Sequence, residues 1–215
     1  MDETYFALIG DLVASRRMED RRGVQRKLST VLEALQEELG DAVAAPFRLV
    51  AGDEVQGLLR DPEAVVAVLR RIGDEVHPER LVWGLGAGPV ATDLSEDISL
   101  VDGPCLHRAR DGVRKAGRSG RWLEPEGLPR LETEVLGALF ALLGAIRADW
   151  TARELEYVRE ARGRSQRDVA ERFGVNESTV SRGLARAHFR SVLDGEDAAR
   201  AIFRSLRAPL SGVDR

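Results

Sequence analysis

The sequence predicts an α+β protein that is mixed at its N-terminus and helical at its C-terminus. Short apolar runs alternate with amphipathic segments up to about residue 123, and only helical periodicity follows. The charge also changes along the chain, because the net charge is +3 from Trp150 onward and −7 before it. We therefore expect a domain over 1–123, a linker and long helix over 124–150, and a small helical domain over 151–215.

The N-terminal elements follow one another in the order β-α-β-β-α-β, with one more helix after them. Strands are predicted at 5–10, 47–51, 55–59 and 81–88, and helices at 23–39, 62–76 and 104–116. This is the split β-α-β order of a ferredoxin-like domain. Trp122 and Leu123 predict one additional edge strand.

The segment after this domain combines a linker with a long helix. The linker, over 124–130, contains Pro and Gly, and the helix runs from Leu131 to Trp150. This helix is apolar on most faces and must be covered by the N-terminal sheet, by the C-terminal domain, or by its twin in a homodimer. Thr151 and Glu154 have the spacing of a capping box, which predicts that a new helix begins there. A last helix is predicted over 196–206.

Residues 166–184 have the spacing of a helix-turn-helix. Ala170 stands where two helices must approach closely, Gly174 can take the positive φ of a tight turn, and Val180 closes the small core. In such a motif the second helix lies in the major groove of double-stranded DNA. The spacing therefore predicts a DNA-binding domain, and the alternative is a helical hairpin with a purely structural role.

The second helix of this motif would expose short hydroxyls and arginines along one side. With Asn176 or Ser178 as N-cap, the candidate DNA-binding residues are Ser178, Thr179, Ser181, Arg182 and Arg186. Between Arg159 and Arg190 the chain has eight Arg and four acidic residues, a local charge of +4 in a chain of net charge −4. An excess of positive charge on this motif favours binding to nucleic acid, although an arginine-rich segment alone is typical of a solvated helix face.

Two acidic turns are brought together by the predicted strand order. Because the first strand pairs antiparallel with the third, Asp11 should meet Asp53 at one edge of the sheet. Two carboxylates in such proximity are unfavourable unless a cation lies between them, and Mg²⁺ prefers carboxylate oxygens. We therefore expect a Mg²⁺ site at Asp11 and Asp53, with Glu54 as a further ligand. The alternative is that these residues only form turns.

Other features bound the class of protein. Cys105 is the single cysteine, which excludes an internal disulfide, and the first residues lack the basic and apolar regions of a signal peptide. The most apolar segment, over 135–146, is too short to span a bilayer. These observations predict a cytoplasmic protein without a membrane partner.

The motifs Ile9-Gly-Asp-Leu-Val-Ala-Ser-Arg and Ala51-Gly-Asp-Glu-Val-Gln-Gly-Leu-Leu, followed by the helix-turn-helix, resemble the SatD family over nearly the whole chain. More distantly, the first domain resembles the palm of class III nucleotidyl cyclases and GGDEF diguanylate cyclases. That resemblance implies two metal-binding acids and a purine nucleotide. The candidate residues for nucleotide binding are Gly10, Asp11, Ser15, Gly52 and Asp53, together with His107 and Arg108, which could touch a phosphate.

The chain departs from the cyclase pattern where the transition state would be stabilised. The positions of the expected Asn and Arg on the helix after strand four hold His107 and Asp111, and the position of the purine-reading Lys holds Leu49. A one-residue shift to Arg108 rotates a side chain by about 100° around a helix. The metal acids are thus retained while much of the catalytic apparatus is lost, which favours binding without turnover.

Three functions follow from these patterns. The first is a DNA-binding transcriptional regulator whose N-terminal domain senses a nucleotide or Mg²⁺. The second is an active nucleotidyl cyclase, or another two-metal phosphoryl-transfer enzyme, that carries a helix-turn-helix. The third is a regulator whose N-terminal domain is only a dimerisation or protein-binding scaffold. The balance of motifs favours the first.

Overall fold

The computed structural model describes residues 3–15, 18–50 and 52–207. The strands are β1 Tyr5–Leu12, β2 Val43–Val50, β3 Glu54–Leu59, β4 Leu81–Gly88 and β5 Leu123–Glu126. The helices are α1 Arg21–Leu39, α2 Ala64–Val76, α3 Pro104–Ser119, α4 Arg130–Ala148, α5 Ala152–Ala161, α6 Gln166–Phe173, α7 Glu177–Arg186 and α8 Phe189–Ser205. The predicted α+β class is confirmed.

One mixed sheet forms the N-terminal half, with strand order β2-β3-β1-β4-β5. The central strand β1 pairs antiparallel with β3 and β4, while β5 pairs parallel with β4. Several predicted boundaries are wrong, and β2 begins at Val43 rather than at residue 47. Asp11 lies inside β1, and Glu124–Glu126 of the expected linker belong to β5. Pro125 signalled a linker, but an edge strand tolerates Pro because its outer side needs no N–H donor.

Helices cover both faces of the sheet. The apolar side chains of α1 and α2 join one large cluster with β1, β3 and β4, and α3 lies in a second cluster on the other face. Glycines in β4 let α3 approach at backbone distance: a Cβ at Gly84 would lie 2.0 Å from the carbonyl oxygen of Ala109, and one at Gly86 would lie 1.9 Å from that of Cys105.

The C-terminal helices share the large core of the sheet. Phe140 of α4 packs against Trp122 beside β5, with ring centroids 5.8 Å apart, and against Phe203 of α8, at 6.5 Å. Helix α8 begins at Phe189, earlier than the predicted residue 196, and Gly195 lies inside it. A Cβ at Gly195 would come within 2.9 Å of Leu143, so this glycine permits close packing of α8 on α4.

Helix α4 is covered by β5 and α8 on one side only. Leu136, Phe140 and Leu143 are buried there. On the opposite side Leu131, Val135 and Leu142 are 68%, 41% and 65% exposed. Among the helices in the described part of the chain, none combines the length and apolarity that crossing a bilayer requires.

Candidate functional site

Helices α6 and α7 are joined by a short turn whose geometry follows from three local signals. Ser165 and Asp168 form a capping box that begins α6. Gly174 ends the helix with φ +63°, as predicted from its position, and the N–H of Val175 then donates to the carbonyl of Ala170 over 3.0 Å. Asn176 occupies the N-cap of α7, and its side chain makes no capping hydrogen bond there. The reversal therefore depends on glycine and packing.

The packing beneath α7 is supplied by α6 and by α5. Ala170 and Val180 are buried, as predicted, together with Val169 and Leu184, whereas Val175 in the turn is 37% exposed. Sequence reasoning missed Gly183, where a Cβ would lie 2.7 Å from the ring of Tyr157 on α5. Tyr157 in turn contacts Phe173 edge-on with centroids 5.2 Å apart. Helices α5 and α6 thus fix the orientation of α7.

The predicted DNA-binding residues lie together on the outer face of α7. Ser178, Ser181, Arg182 and Arg186 are exposed and Thr179 is half-buried. The Nε of Arg182 donates to the carbonyl of Ser178 over 3.2 Å, and its guanidinium forms no ion pair with residues 3–15, 18–50 or 52–207. One arginine of this face is therefore free to pair with an external anion.

Arg186 is held differently, by a carboxylate at the beginning of α5. Its Nε donates to Oε1 of the buried Glu154 over 2.8 Å, while the Arg186 side chain remains 69% exposed. The backbone N–H of Thr151, and then Arg186, keep the pKa of Glu154 below its ordinary value. Glu154 thus couples the capping box of α5 to the outer face of α7.

A concave groove adjoins this face. Its polar lining comes from the loop before α6, the α6 N-terminus, α7 and the start of α8, namely Arg164, Ser165, Gln166, Ser181, His188 and Arg190. Arg164 pairs with Glu160 over 2.8 Å. Arg164, Gln166 and Arg190 were not among the predicted DNA-binding residues, although the excess of arginine in this stretch was a usable signal for the two arginines.

The acidic residues of the N-terminal half meet at one edge of the sheet, as their strand order predicted. Asp11 is opposite Glu54 in the β1–β3 register, and the N–H of Leu12 donates to the carbonyl of Asp53 over 3.3 Å. Burial raises the pKa of Asp11, and the nearby carboxylates of Asp53 and Glu54 raise it further. The predicted convergence of Asp11 and Asp53 is therefore confirmed at the level of the backbone.

The carboxylate of Asp53 already has partners within the chain. The hydroxyl of Ser15 donates to its Oδ2 over 2.7 Å, and Nη2 of Arg21 lies 3.4 Å from the same oxygen. Gly52 takes φ +88° in the turn before it, and its carbonyl accepts from Gln25. Ser15 and Gly52 thus lie at the predicted edge, where they shape the turn around Asp53.

The carboxylates of Asp53 and Glu54 at this edge are bound by side chains of the protein itself. Arg21 supplies a positive charge beside Asp53, and Gln56 donates to Glu54. Across the described residues, no three His, Cys, Asp or Glu side chains lie close enough together to hold a metal ion. The repulsion that suggested a cation is therefore partly offset by the protein's own arginine.

The structure does not bring His107 and Arg108 to the acidic edge, by which we mean the edge of the sheet where Asp11, Asp53 and Glu54 meet. Nη1 of Arg108 donates to the carbonyl of Ala87 over 2.6 Å, and His107 pairs with Asp102 over 2.8 Å. Asp11 faces Val82 at the other end of β4, five residues from Ala87, which corresponds to about 17 Å of strand. Grouping these two residues with Asp11 in one nucleotide site is a prediction we correct.

Comparison with protein families identifies a relationship over most of the chain. The family model described as the SatD family matches residues 5–202, which include the sheet, the acidic edge and the helices through most of α8. No curated protein matches the chain.

Proposed function

Since this chain belongs to the SatD family over both its sheet and its terminal helices, we propose one function for the whole chain. It is a transcriptional regulator that binds double-stranded DNA through α7. The observation that carries this proposal is the outer face of α7, where hydroxyls and arginines lie together on a ten-residue helix. An α-helix fits the major groove of B-form DNA, which is about 12 Å wide.

Helices α6 and α7 then act as a helix-turn-helix, with α7 as the recognition helix. Arg182 is the side chain best placed to contact a guanine or a phosphate, because its guanidinium has no carboxylate partner among the described residues. Ser178 and Thr179 are near the start of α7, where short hydroxyls can donate to phosphate oxygens or base edges. Arg164, Gln166 and Arg190 in the adjoining groove extend the surface to the DNA backbone.

The N-terminal half serves this function as a regulatory and structural part. Its strand order β2-β3-β1-β4 is that of a ferredoxin-like domain, to which β5 is added. We assign no phosphoryl-transfer activity to it, because Asp53 is paired with Arg21 and Arg108 is bound at the far end of β4. The acidic edge instead fixes the β2–β3 turn to the start of α1.

A second copy of the chain is the partner proposed for the uncovered side of α4. Leu131, Val135, Ala138 and Leu142 follow one another at intervals of four, three and four residues, which is the spacing of a helix-helix seam. Regulators with a helix-turn-helix commonly read two half-sites as symmetric dimers. Pairing of two α4 helices would bury the exposed leucines and present two α7 helices to one duplex.

The experiment for this proposal is a selection from a pool of random duplexes, because the target sequence is unknown. The purified chain should enrich a common sequence over successive rounds. The matched variant Arg182→Ala should enrich it less or shift it at one position. Failure of the unaltered chain to enrich any sequence at low salt, where phosphate contacts are strongest, would exclude sequence-specific DNA binding.

A further inference from the structure

A cavity of about 380 Å³ lies between the end of α2, the start of β4, the end of α3 and the last turns of α4. Its volume falls at the small end of the range typical of ligand pockets. All three tryptophans of the chain, Trp83, Trp122 and Trp150, contribute to its wall. This cavity is separate from both the α7 face and the acidic edge.

The guanidinium of Arg147 contacts two of these indoles. Its Cζ is 5.0 Å from the ring centroid of Trp122 and 4.7 Å from that of Trp150. Two cation–π contacts of this kind help to hold the guanidinium in place. Arg147 is 9% exposed, so its charge is largely removed from water.

The edge of this guanidinium has unused hydrogen-bonding capacity. Nη2 of Arg147 donates to Oδ1 of the buried Asp74 on α2. Nη1 is buried and has no hydrogen-bond partner within residues 3–15, 18–50 and 52–207. A buried donor without a partner is unfavourable. Because Arg147 lines the cavity, an acceptor that entered it and drew the guanidinium toward itself would satisfy Nη1.

The remaining lining indicates the class of that acceptor. Arg80 and Arg121 also line the cavity, against the single acidic residue Glu79. On the α4 side the wall consists of Ala141, Gly144, Ala145 and Ala148. A Cβ at Gly144 would lie 2.6 Å from Trp122, so the indole is packed directly on the helix. Small residues and indoles suit a flat ring, and the arginines suit an anion.

The cavity wall is connected to the last turn of α7. The indole N–H of Trp150 donates over 2.9 Å to the carbonyl of Ala187, which follows α7 as its C-cap. A ring nitrogen of His77 lies 2.9 Å from the carbonyl of Trp150 itself. One tryptophan therefore contacts the cavity through its ring and α7 through its hydrogen bond.

From this arrangement we propose that the cavity binds a small aromatic carboxylate, whose anionic group pairs with Nη1 of Arg147 and whose ring packs between α4 and the indoles. Occupation changes the position of Trp150 and, through Ala187, the orientation of α7. The second statement rests on the proposed DNA-binding function, whereas the first does not. Effector control of this kind requires the ligand to bind the two orientations of α7 unequally.

Intrinsic tryptophan fluorescence tests binding directly, because every tryptophan of the chain lines the cavity. Titration of the full chain with benzoate, salicylate and indole-3-acetate should give a saturable change for at least one of them. Benzamide, which lacks the charge, and acetate, which lacks the ring, should give none. No saturable change with any aromatic carboxylate, or an equal response to benzamide, would overturn the proposal.

Two variants locate the binding. Arg147→Lys keeps a positive charge beside Asp74 but loses the planar fork, and it should weaken binding by about tenfold or more. Since that variant alters a buried pair, Ala141→Leu provides a second test by filling the cavity without touching Arg147. It should abolish binding, whereas Ala201→Leu on the exposed side of α8 should not. Retained affinity in Ala141→Leu would place the ligand elsewhere.

The coupling to α7 is measured separately with duplexes from the selection experiment. An aromatic carboxylate that binds should change the affinity of the chain for its selected duplex by about fivefold or more, and Ala141→Leu should remove this effect. A ligand that binds without changing duplex affinity would refute the coupling and leave the site intact. If no duplex is selected at all, the proposed DNA-binding function is refuted. The fluorescence titration still tests independently whether the cavity binds an aromatic carboxylate.

Discussion

The indole N–H of Trp150 donates a hydrogen bond of 2.9 Å to the carbonyl oxygen of Ala187, and both residues are buried. Trp150 follows α4, and Ala187 is the C-cap of α7. The same indole stacks on Arg147, whose guanidinium binds Asp74 on α2. These contacts make the position of α7 depend on the packing of the N-terminal half.

Replacement of Trp150 by Phe should lower the free energy of unfolding by about 1–3 kcal/mol, because the buried carbonyl of Ala187 loses its donor. Trp122→Phe serves as control, since it replaces the other indole that contacts Arg147 by the same smaller ring. Urea denaturation gives the free energy of unfolding of both variants, and the difference between the two values measures the contribution of the hydrogen bond. Equal losses would mean that the Trp150 bond adds nothing to stability.

Gly84→Ala should destabilise the protein by about 3 kcal/mol or prevent folding, since its Cβ would lie 2.0 Å from the backbone oxygen of Ala109. The backbone of α3 would have to move away from β4. Gly117 lies in α3, and a Cβ added there would have nothing within 4 Å. Gly117→Ala should therefore raise the free energy of unfolding by up to about 1 kcal/mol. Thermal or urea unfolding checks both signs, and a tolerated Gly84→Ala would disprove the close contact.

Asp11→Asn should raise the free energy of unfolding at pH 7. Folding raises the pKa of Asp11, first by burial and then through the carboxylates of Asp53 and Glu54. At a pH above the ordinary Asp pKa of about 4, the ionised Asp11 therefore lowers the free energy of unfolding. The free energy of unfolding of the wild-type protein therefore falls as the pH rises from below this pKa to above the raised pKa of folded Asp11. Because Asp11 is partly in contact with water, we expect a gain below about 1 kcal/mol.

The gain from Asp11→Asn should disappear at pH 3, where the wild-type carboxyl is protonated in both the folded and unfolded states. Urea unfolding at the two pH values measures this, with Asp111→Asn on the exposed side of α3 as control. A gain that persists undiminished at pH 3 would show that charge is not its cause.

Leu142→Glu should leave the chain monomeric and weaken its binding to a symmetric duplex. A carboxylate on the uncovered side of α4 would face its copy across the proposed seam, where like charges repel. The control is Leu100→Glu, because Leu100 is 67% exposed against 65% for Leu142 and lies in a different part of the chain. Light scattering after size-exclusion chromatography reports the mass. An unaltered chain that is monomeric at all concentrations would exclude this dimer.

Local patterns predicted those parts of the fold that neighbouring residues determine. The positions of Ala170, Gly174 and Val180 specified the turn between α6 and α7, and Thr151 with Glu154 specified the start of α5. The meeting of Asp11 with the β3 turn followed from antiparallel pairing. In each case a short sequence spacing corresponds to one geometric requirement.

Contacts between distant segments were not predictable in the same way. Arg147 and Asp74 are 73 positions apart, and neither hydrophobic periodicity nor a motif links them. Arg21 was not expected beside Asp53, because nothing in the sequence indicates how α1 begins relative to that turn. The error at His107 and Arg108 was avoidable: α3 follows β4, so its start lies near the end of that strand, whereas Asp11 pairs with its beginning.

The affinity of the chain for a selected duplex, compared between Arg182→Ala and Arg114→Ala, tests the central claim most directly. Both residues are exposed arginines, and Arg114 lies on α3, away from α7. We predict that Arg182→Ala weakens binding by about 1–3 kcal/mol, with a smaller dependence on salt if the contact is to phosphate, and that Arg114→Ala leaves it unchanged. Equal affinities for the two variants would contradict a recognition role for α7.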